Sequence, residues 1–340
     1  MPLRRSLALP VLLLMLPAAG AAGRDHITVV GSSTVFPFAT TVAESFGRTG
    51  KWRTPVVEST GTGGGFKLFC GGVGIETPDV NDASRRITDG EKAICAKNGV
   101  AGIEELKIGY DGIVVASSRS AQAFDVTREQ LYRAVAKSVP VGGRLVPNPF
   151  KRWSEIDPKL PARRIAIFGP APNHGTRDAF VELVLDPVCR ELPEIRGLPG
   201  EQQKRACETV REDGAWVDVS GDYALLMGKI TGDPGAVGVF TFSYLDQNRD
   251  KVQAAKVDGI APTLETISAA RYPVSRPLYL YVKTAHVAGV PGLAEFVAEF
   301  VSDKAAGRDG YLADKGLTPL PKSELEAERA KARALAALKR

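Results

Sequence analysis

The chain has 340 residues, of which 44% are hydrophobic, enough to bury one large core or two of ordinary domain size. Its formal net charge of +5 comes from the two ends, because residues 24–320 are neutral overall. A neutral body without a repeated aromatic and basic pattern argues against a broad nucleic-acid-binding surface, so no nucleic-acid partner is expected.

The first 23 residues have the three regions of a secretory signal peptide. Arg4 and Arg5 precede an apolar run at residues 7–16, and small residues at 17–23 follow it. A membrane anchor is the competing interpretation, but the apolar run is too short to span a bilayer. The pattern therefore predicts residues 1–23 as a cleaved signal peptide and a mature chain that works outside the cytoplasm.

Segments with strand patterns alternate with helical patterns along the rest of the chain. Helices are predicted after the first and fourth strands, and this alternation indicates an α/β fold with mostly parallel sheets. Residues 141–161 are rich in Pro, Gly and charge and are predicted to form a surface loop. The predicted strands lie at residues 26–30, 54–59, 107–117, 163–169, 236–244 and 276–283.

The last segment, residues 321–340, differs in composition from residues 24–320. Pro321 is followed by a capping-box pattern, Ser323 with Glu326, and then by a run of Ala, Leu, Lys and Arg. A terminal helix on the surface is expected. A role in docking a partner is the alternative, but charge runs usually form solvated faces.

Four short polar stretches lie at strand-to-helix junctions of the sequence, the third of them after a short Asp-Val segment rather than one of the predicted strands. Each places hydroxyl, amide or arginine donors where free backbone N–H groups and the positive end of the helix dipole favour an anion. Ligands of open α/β sheets lie outside the carboxyl ends of the strands, so these junctions are predicted to converge on one cleft. The first to fourth junctions are GSSTVFPF (31–38), ESTGTGGGF (58–66), NDASRRI (81–87) and NHGTRDAF (173–180).

Each junction taken alone also fits an ordinary structural role. The residues at 32–34 fit helix N-caps, and the glycines at 61–65 fit a flexible turn. Of Arg85 and Arg86, one is expected to hold an anion and the other to be solvated. A lone histidine such as His174 is more often packed or exposed than catalytic. The argument for a binding site therefore depends on the four junctions together.

Several enzymatic motifs are missing from the sequence. The second junction is not a nucleotide P-loop, because Phe66 precedes Lys67 and Leu68 follows it. No G-x-G-x-x-G motif opens the first βα unit. Only three histidines occur, and neither H-E-x-x-H nor G-x-S-x-G is present. We expect no catalytic residues, no metal ligands, no cofactor and no enzymatic activity.

The four cysteines form two pairs of neighbours in the sequence. Proximity favours disulfides between Cys70 and Cys95 and between Cys189 and Cys207, among the three possible connectivities. Each would stabilise a secreted fold by about 3 kcal/mol. A zinc site is the rival interpretation, but no C-x-x-C spacing supports it.

The ordered set of motifs resembles the phosphate-binding protein (PstS) family of bacterial phosphate ABC transporters. The first three junctions, IGYDGIVVA (108–116), GTRDAF (175–180) and YPVSRPLYLYV (272–282) carry the resemblance, which covers residues 25–320. It implies a type II periplasmic binding protein, with two α/β lobes, a two-segment hinge and a ligand cleft between the lobes. Lobe 1 would comprise residues 24–112 and 277–320, lobe 2 residues 113–276, and the tail residues 321–340. One disulfide would fall in each lobe.

The resemblance also implies a function and a set of ligand residues. The protein would capture inorganic phosphate in the periplasm as a monomer and deliver it to an inner-membrane ABC permease. A secreted phosphatase or other phosphate-ester hydrolase, and a sensor or adhesion protein of the same fold, are the alternatives. The implied phosphate-binding residues are Ser33, Thr34 and Val35 (through its backbone), Thr62, Ser84 and Arg85, and His174, Gly175, Thr176 and Arg177.

Two positions depart from the family pattern. His174 stands where the family usually has a serine, so imidazole replaces a hydroxyl donor, either as a neutral tautomer or as a cation at lower pH. Some members use an aspartate to accept the proton of phosphate and so exclude sulfate. Ser84 stands at the matching position here, with Asp82 nearby. Selectivity between phosphate and sulfate is therefore the least supported part of the expectation.

Overall fold

The computed structural model describes residues 24–172, 174–219 and 223–338, so the predicted signal peptide lies outside it. In chain order the strands of these residues are β1 (Thr28–Gly31), β2 (Val56–Ser59), β3 (Val80–Ala83), β4 (Ile103–Ser118), β5 (Ser138–Val141), β6 (Arg144–Pro147), β7 (Ile167–Pro170), β8 (Trp216–Val219), β9 (Val237–Thr241), β10 (Val252–Ala254) and β11 (Ser275–Lys283).

The helices lie between and after these strands, and none of those described is both long enough and apolar enough to span a membrane. A π-helical turn (Val181–Leu185) joins two of them, and a 3₁₀ turn (Thr284–His286) follows β11. The α-helices are α1 (Phe36–Gly47), α2 (Thr62–Phe69), α3 (Asp89–Lys97), α4 (Arg128–Val135), α5 (Trp153–Ile156), α6 (Gly175–Phe180), α7 (Asp186–Arg190), α8 (Pro193–Arg196), α9 (Gly200–Glu208), α10 (Tyr223–Gly232), α11 (Phe242–Gln247), α12 (Leu264–Ser268), α13 (Leu293–Phe300), α14 (Asp303–Ala306) and α15 (Lys322–Ala337).

One sheet runs through both halves of the described chain, in the order β2-β1-β3-β11-β4-β9-β7-β8, with β10 also paired to β4. The strands at the two ends pair in parallel, β1 with β2 and β3 and β7 with β8 and β9. We call the half around β1–β3 the first lobe and the half around β7–β9 the second lobe. The residue bounds of the lobes remain a prediction.

Strand β4 belongs to both lobes. Its residues 103–112 pair with β11, and its residues 113–117 pair with β9. The chain returns beside it, where the Ile113 N–H donates to the Val274 carbonyl at 2.9 Å. Because β4 leads the chain out of the first lobe and β11 brings it back, the central pairs are antiparallel. The prediction of mostly parallel sheets is therefore correct only for the outer strands.

Two segments differ from their predicted structure. The strand predicted at 236–244 ends at Thr241, and helix α11 begins at Phe242. The loop predicted at 141–161 contains the β5–β6 hairpin and α5 instead. Its turn residues, Gly142 and Gly143, have φ angles of 59° and 75°, which suit a tight two-residue hairpin turn.

The tail forms the predicted helix, but the helix begins at a different residue from the one predicted. Pro321 occupies the N-cap position of α15 without a side-chain hydrogen bond, so the predicted capping box is wrong. The helix buries Leu325, Ala332 and Leu335 against the first lobe, where it packs on β4 and α13. The Lys331 ammonium also donates to the Glu105 carbonyl of β4 at 3.0 Å. The tail is therefore an integral layer of the first lobe.

Both predicted disulfides are confirmed. Cys70 at the end of α2 is bonded to Cys95 of α3, and Cys189 of α7 is bonded to Cys207 of α9. All four side chains are buried. Each bridge joins helices of one lobe only, so neither restrains the movement of one lobe relative to the other.

Candidate functional site

The first three junctions lie side by side at the carboxyl ends of β1, β2 and β3. The Ser32 N–H donates to the Asp82 carbonyl at 3.1 Å, which ties the first junction to the third. The hydroxyls of Thr62 and Ser84 are 3.2 Å apart, and the Ser84 N–H donates to Thr62 Oγ1 at 3.1 Å. Parallel pairing thus brings the start of α2 and the polar end of β3 to one point, as the sequence predicted.

The glycines of the second junction have different surroundings. A Cβ atom on Gly65 would lie 2.0 Å from Asn81 Oδ1 and 2.7 Å from the Cα atom of Gly31, so α2 rests directly on β1 at this residue. Gly63 and Gly64 have no such neighbour within 3.5 Å. Close backbone packing therefore accounts for one glycine, and the other two leave the start of α2 open.

The fourth junction belongs to the second lobe and contacts the first junction, which belongs to the first lobe. A Cβ atom on Gly175 would lie 3.0 Å from the Ser33 carbonyl oxygen and 3.1 Å from the Thr34 Cα atom. Burial raises the pKa of Asp178 in α6, and the nearby Ser33 hydroxyl opposes this effect. All four junctions therefore meet, and the two lobes touch each other at this point.

Two cavities flank this contact. The first has a volume of about 310 Å³ and the second about 360 Å³. Hydroxyl groups from both lobes face them, together with a small number of charged side chains. The first cavity is lined by Ser33, Thr62, Ser84, Arg85, Glu182 and Arg276, and the second by Thr34, Asp111, His174, Gly175, Thr176 and Tyr223 among others.

Arg276, at the start of β11, is a site residue that the sequence interpretation missed. Its Nη2 donates to Thr34 Oγ1 at 3.0 Å, and its Nη1 forms an ion pair with Glu182 of the second lobe. Its Nε lies 3.7 Å from Asp111 Oδ2. The side chain is only 13% exposed. The sequence contained one signal, because Arg276 is a charged residue at the edge of the apolar strand in YPVSRPLYLYV (272–282).

Arg85 lies at the rim of the first cavity. Its guanidinium makes two hydrogen bonds to the Glu91 carboxylate, at 2.9 and 2.8 Å, and the side chain is 44% exposed. Glu91 in turn caps α3 by accepting from the Thr88 N–H. Arg86 points to Tyr279 and Glu105 instead. Arg85 is thus held in place by a carboxylate on its outer side while it faces the cavity.

Arg177 has a different place from the one predicted. Its Nη1 donates to the Pro170 carbonyl and to Asp218 Oδ1, both at 2.9 Å, and its guanidinium carbon lies 4.7 Å from the centre of the Trp216 ring. It lines neither cavity. In this arrangement the side chain turns under α6 and joins β7 to β8, so the contact of Arg177 with an anion stays a prediction.

The predicted backbone donor of Val35 is already engaged. Its N–H donates to the Ser32 carbonyl at 3.1 Å, and the Thr34 N–H donates to Ser32 Oγ at 3.2 Å. Ser32 therefore forms a local turn with Thr34, and the alternative of N-caps at residues 32–34 is wrong, because Val35 occupies the N-cap position of α1 without a side-chain hydrogen bond. The side-chain hydroxyls of Ser33 and Thr34, rather than the Val35 backbone, face the cavities.

Asp82 does not take the place of the aspartate that some family members use. Its side chain is 1% exposed, lines neither cavity, and lies under Gly31. Burial raises the pKa of this carboxyl well above its usual value. Asp82 is therefore a buried carboxyl beneath the first junction and does not reach the cavities.

His174 caps α6 and is held in a defined tautomer. Its Nδ1 accepts from the Thr176 N–H at 3.2 Å, so Nε2 carries the proton of the neutral ring. The Thr176 hydroxyl is 2.8 Å from the Tyr223 hydroxyl, and the His174 ring meets the Tyr223 ring edge to face. Burial lowers the pKa of His174 below 6.5, although Asp178 opposes this effect. The residue is thus a neutral donor at pH 7.

This pKa shift predicts a pH effect on stability. The unfolded chain takes up a proton at His174 before the folded chain does, so the free energy of unfolding should fall as the pH drops below 6.5. We expect urea-unfolding midpoints to fall more steeply between pH 7 and pH 5 in the wild type than in a His174→Ser variant. Parallel midpoint curves for the two proteins would contradict the prediction.

Comparisons with known protein sequences identify a family model and several relatives that match this chain. A family model described as a PBP superfamily domain matches residues 16–304. The chain is 27% identical over 320 residues to the phosphate-binding protein PstS of Staphylococcus saprophyticus, covering 92% of this chain and 86% of the relative. It is 29% identical over 303 residues to protein SphX of Synechocystis, covering 87% and 79%.

Solved structures agree with these matches. The structure of a possible phosphate binding protein from Planctomyces limnophilus is similar with a TM-score of 0.72 and 28% identity, covering 91% of this chain and 98% of that one. A phosphate transport receptor from Vibrio cholerae, with a TM-score of 0.56 and 20% identity over 87% of this chain and all of that one, shares the fold. The family resemblance and fold class predicted from the motifs are confirmed.

Proposed function

The chain belongs to the PBP superfamily, and from this premise we propose that it captures inorganic phosphate in the cleft between its lobes. One observation carries the proposal. The hydroxyls of Thr62 and Ser84 and the guanidinium of Arg276 converge beside the point where the fourth junction touches the first. The relatives named as phosphate-binding proteins, which are 27% and 28% identical to this chain, support phosphate as the anion.

The chemistry of the cleft suits a small oxyanion. A phosphate removed from water needs many short donor contacts, and hydroxyl groups supply them without burying excess charge. Arg276 adds a planar fork of donors at the hinge strand. In this structure Arg276 Nη1 forms an ion pair with the Glu182 carboxylate, so an entering anion would replace Glu182 at Nη1.

We further propose that the protein delivers phosphate to an inner-membrane ABC permease from the periplasm, as a monomer. The signal-peptide pattern of residues 1–23 supports export, and the motif resemblance to binding proteins of phosphate ABC transporters supports delivery. The described residues contain no group of three or more His, Cys, Asp or Glu side chains arranged to hold a metal ion. The relatives named as phosphate-binding proteins support a binding role over hydrolysis of a phosphate ester.

Calorimetry on the mature chain tests the proposal directly. Phosphate is expected to bind one site per chain with a Kd of about 1 μM or tighter. Arsenate, sulfate and molybdate serve as competing anions, and p-nitrophenyl phosphate with and without a chelator tests for hydrolysis. Phosphate binding no tighter than millimolar, or chelator-sensitive release of nitrophenol, would overturn the proposed function.

A further inference from the structure

The start of α2 faces the rim of the first cavity. A Cβ atom on Gly63 would lie 3.6 Å from Arg85 Nη2 and 3.9 Å from Glu91 Oε1. Glu91 belongs to α3, and its carboxylate accepts two hydrogen bonds from the Arg85 guanidinium. The Thr62 hydroxyl of α2 meets Ser84, the residue before Arg85. The donors of the second and third junctions are therefore held between α2 on one side and α3 on the other.

Helix α3 buries very little of its surface. Of its nine residues, Asp89–Lys97, only Cys95 is buried. The disulfide partner, Cys70, follows α2 directly and is about 12 Å along the helix from Thr62, at about 1.5 Å per residue. Cys70 Sγ also lies 3.6 Å from the Glu91 carbonyl oxygen. The disulfide therefore anchors the helix that holds Arg85 at the cavity.

The disulfide belongs to a small core of its own. Nine buried residues form a hydrophobic cluster separate from the main core, and they include Phe66 and Phe69 of α2 and Tyr281 of β11. Tyr281 Oη accepts from the Ile87 N–H at 2.9 Å, which ties the end of the third junction to this cluster. A core of this size contributes little stability by itself, so the covalent cross-link supplies a large share of the restraint on α2 and α3.

We propose that the Cys70–Cys95 disulfide is a positioning element of the phosphate site and holds Arg85 in place for the anion. This inference rests on the proposed function. The disulfide acts through α3, which carries Glu91. It joins the far ends of α2 and α3, while the hydrogen bonds at the cavity join their near ends, so the contacts form a closed circuit. A displacement of α3 would therefore reach the anion directly.

Loss of the bridge would have two effects of opposite sign on phosphate affinity. Arg85 would regain rotamer freedom that must be lost again when the anion binds, and this lowers the affinity. Separation from Glu91 would leave the Arg85 charge less neutralised, and this raises the affinity. The Arg85 side chain is 44% exposed, so solvent screens the second effect. The net expectation is weaker binding.

The second disulfide is a matched control. Helix α9 also buries a single residue, Cys207, which is bonded to Cys189 of α7. The Gln203 side chain of α9 bonds to Arg190 and to the Arg196 carbonyl, and no residue of α9 lines either cavity of the described chain. Both bridges therefore anchor an exposed helix, but only the first is connected to the proposed site.

Calorimetry with inorganic phosphate on two double variants tests the inference. Cys70→Ala with Cys95→Ala removes the first bridge, and Cys189→Ala with Cys207→Ala removes the second. Measurements well below the unfolding temperatures, with the stoichiometry reporting the folded fraction, separate affinity from stability. We expect the first variant to bind phosphate at least about tenfold more weakly than the wild type and the second to stay within about threefold of it. Affinities of the two variants within about threefold of each other would overturn the inference.

A double-mutant cycle with Arg85→Ala tests the route from the disulfide to the anion. With both bridges intact, Arg85→Ala is expected to weaken phosphate binding at least about tenfold, and without the first bridge less than about threefold. A bridge that only stabilised the lobe would leave the two losses additive. Additive losses would therefore refute the positioning role.

Hydrogen exchange on the wild type decides if the variant without the first bridge fails to fold. Saturating phosphate is expected to slow the exchange of α3 amides at least about fivefold more than that of α9 amides, because the circuit couples α3 to the anion. Equal slowing in α3 and α9 would show that phosphate stabilises the whole fold without this coupling, and the inference would fail.

The outcomes for the two proposals are distinct. A wild type that binds phosphate, with an affinity that does not depend on the first bridge, retains the proposed function and loses the role of the disulfide. A wild type that does not bind phosphate overturns the proposed function together with the inference.

Discussion

Replacing Arg276 with alanine is expected to weaken phosphate binding by about a thousandfold or more, which corresponds to about 4 kcal/mol. The substitution removes the guanidinium that reaches Thr34, Asp111 and Glu182 at once. It also leaves two carboxylates at the cavities without their cation, and these would repel an entering anion. The expected loss is therefore larger than that of a single hydrogen bond.

Calorimetry on the Arg276→Ala and Arg276→Lys variants measures this effect. Lysine keeps the charge but lacks the planar fork, so its affinity should lie between those of alanine and the wild type. Arg177→Lys is the matched control, because Arg177 was also expected at the anion but is bonded to Asp218 and Pro170. It should lower the unfolding temperature and change phosphate affinity less than tenfold. Affinity of Arg276→Ala within tenfold of the wild type would refute the role of this residue.

The substitution Gly65→Ala is expected to destabilise the fold by about 3 kcal/mol or more. The added methyl group would collide with Asn81 Oδ1 and with the backbone of Gly31. Asn81 is fully buried in β3 and cannot move away without disturbing the strand. Relief of the collision therefore requires α2 to shift from β1, which would also displace Thr62 from Ser84.

The neighbouring glycines supply controls within the same helix. Gly63→Ala and Gly64→Ala place a methyl group where no atom lies within 3.5 Å, and alanine favours a helix by up to about 1 kcal/mol over glycine. Both variants should therefore match or exceed the stability of the wild type. Chemical denaturation of the three variants measures the difference. Equal stability of Gly65→Ala and Gly64→Ala would show that the close contact is not required.

The junctions of the cleft were predictable because each is a local pattern. Small polar residues lie at the strand-to-helix junctions, and parallel pairing then places the first three junctions together. Thr62 and Ser84 meet for this reason. The disulfides were predictable for a similar reason, because each joins helices close in sequence.

The partners of the Arg276 and Arg177 side chains could not be predicted from local sequence patterns. The role of Arg276 depends on β11 lying beside β4 and on Glu182, which is 94 residues away in the chain. The direction of Arg177 depends on Asp218, on a strand of another βα unit. Partners of this kind are set by the packing of the sheet. The antiparallel centre of the sheet was missed for the same reason, since strand direction depends on the path of the whole chain.

The construction of the first lobe bears on when it would fold during the proposed export. Its sheet combines β1–β3 from the start of the described chain with β11 from near the end, and α15 completes the layer over β4. The strands β7, β8 and β9 of the second lobe follow one another without interruption by the first lobe. The second lobe can thus close its core while the chain is still emerging from the translocation channel. The first lobe, which supplies most of the donors of the proposed site, becomes complete only when the final helix has emerged, so phosphate binding would arise last.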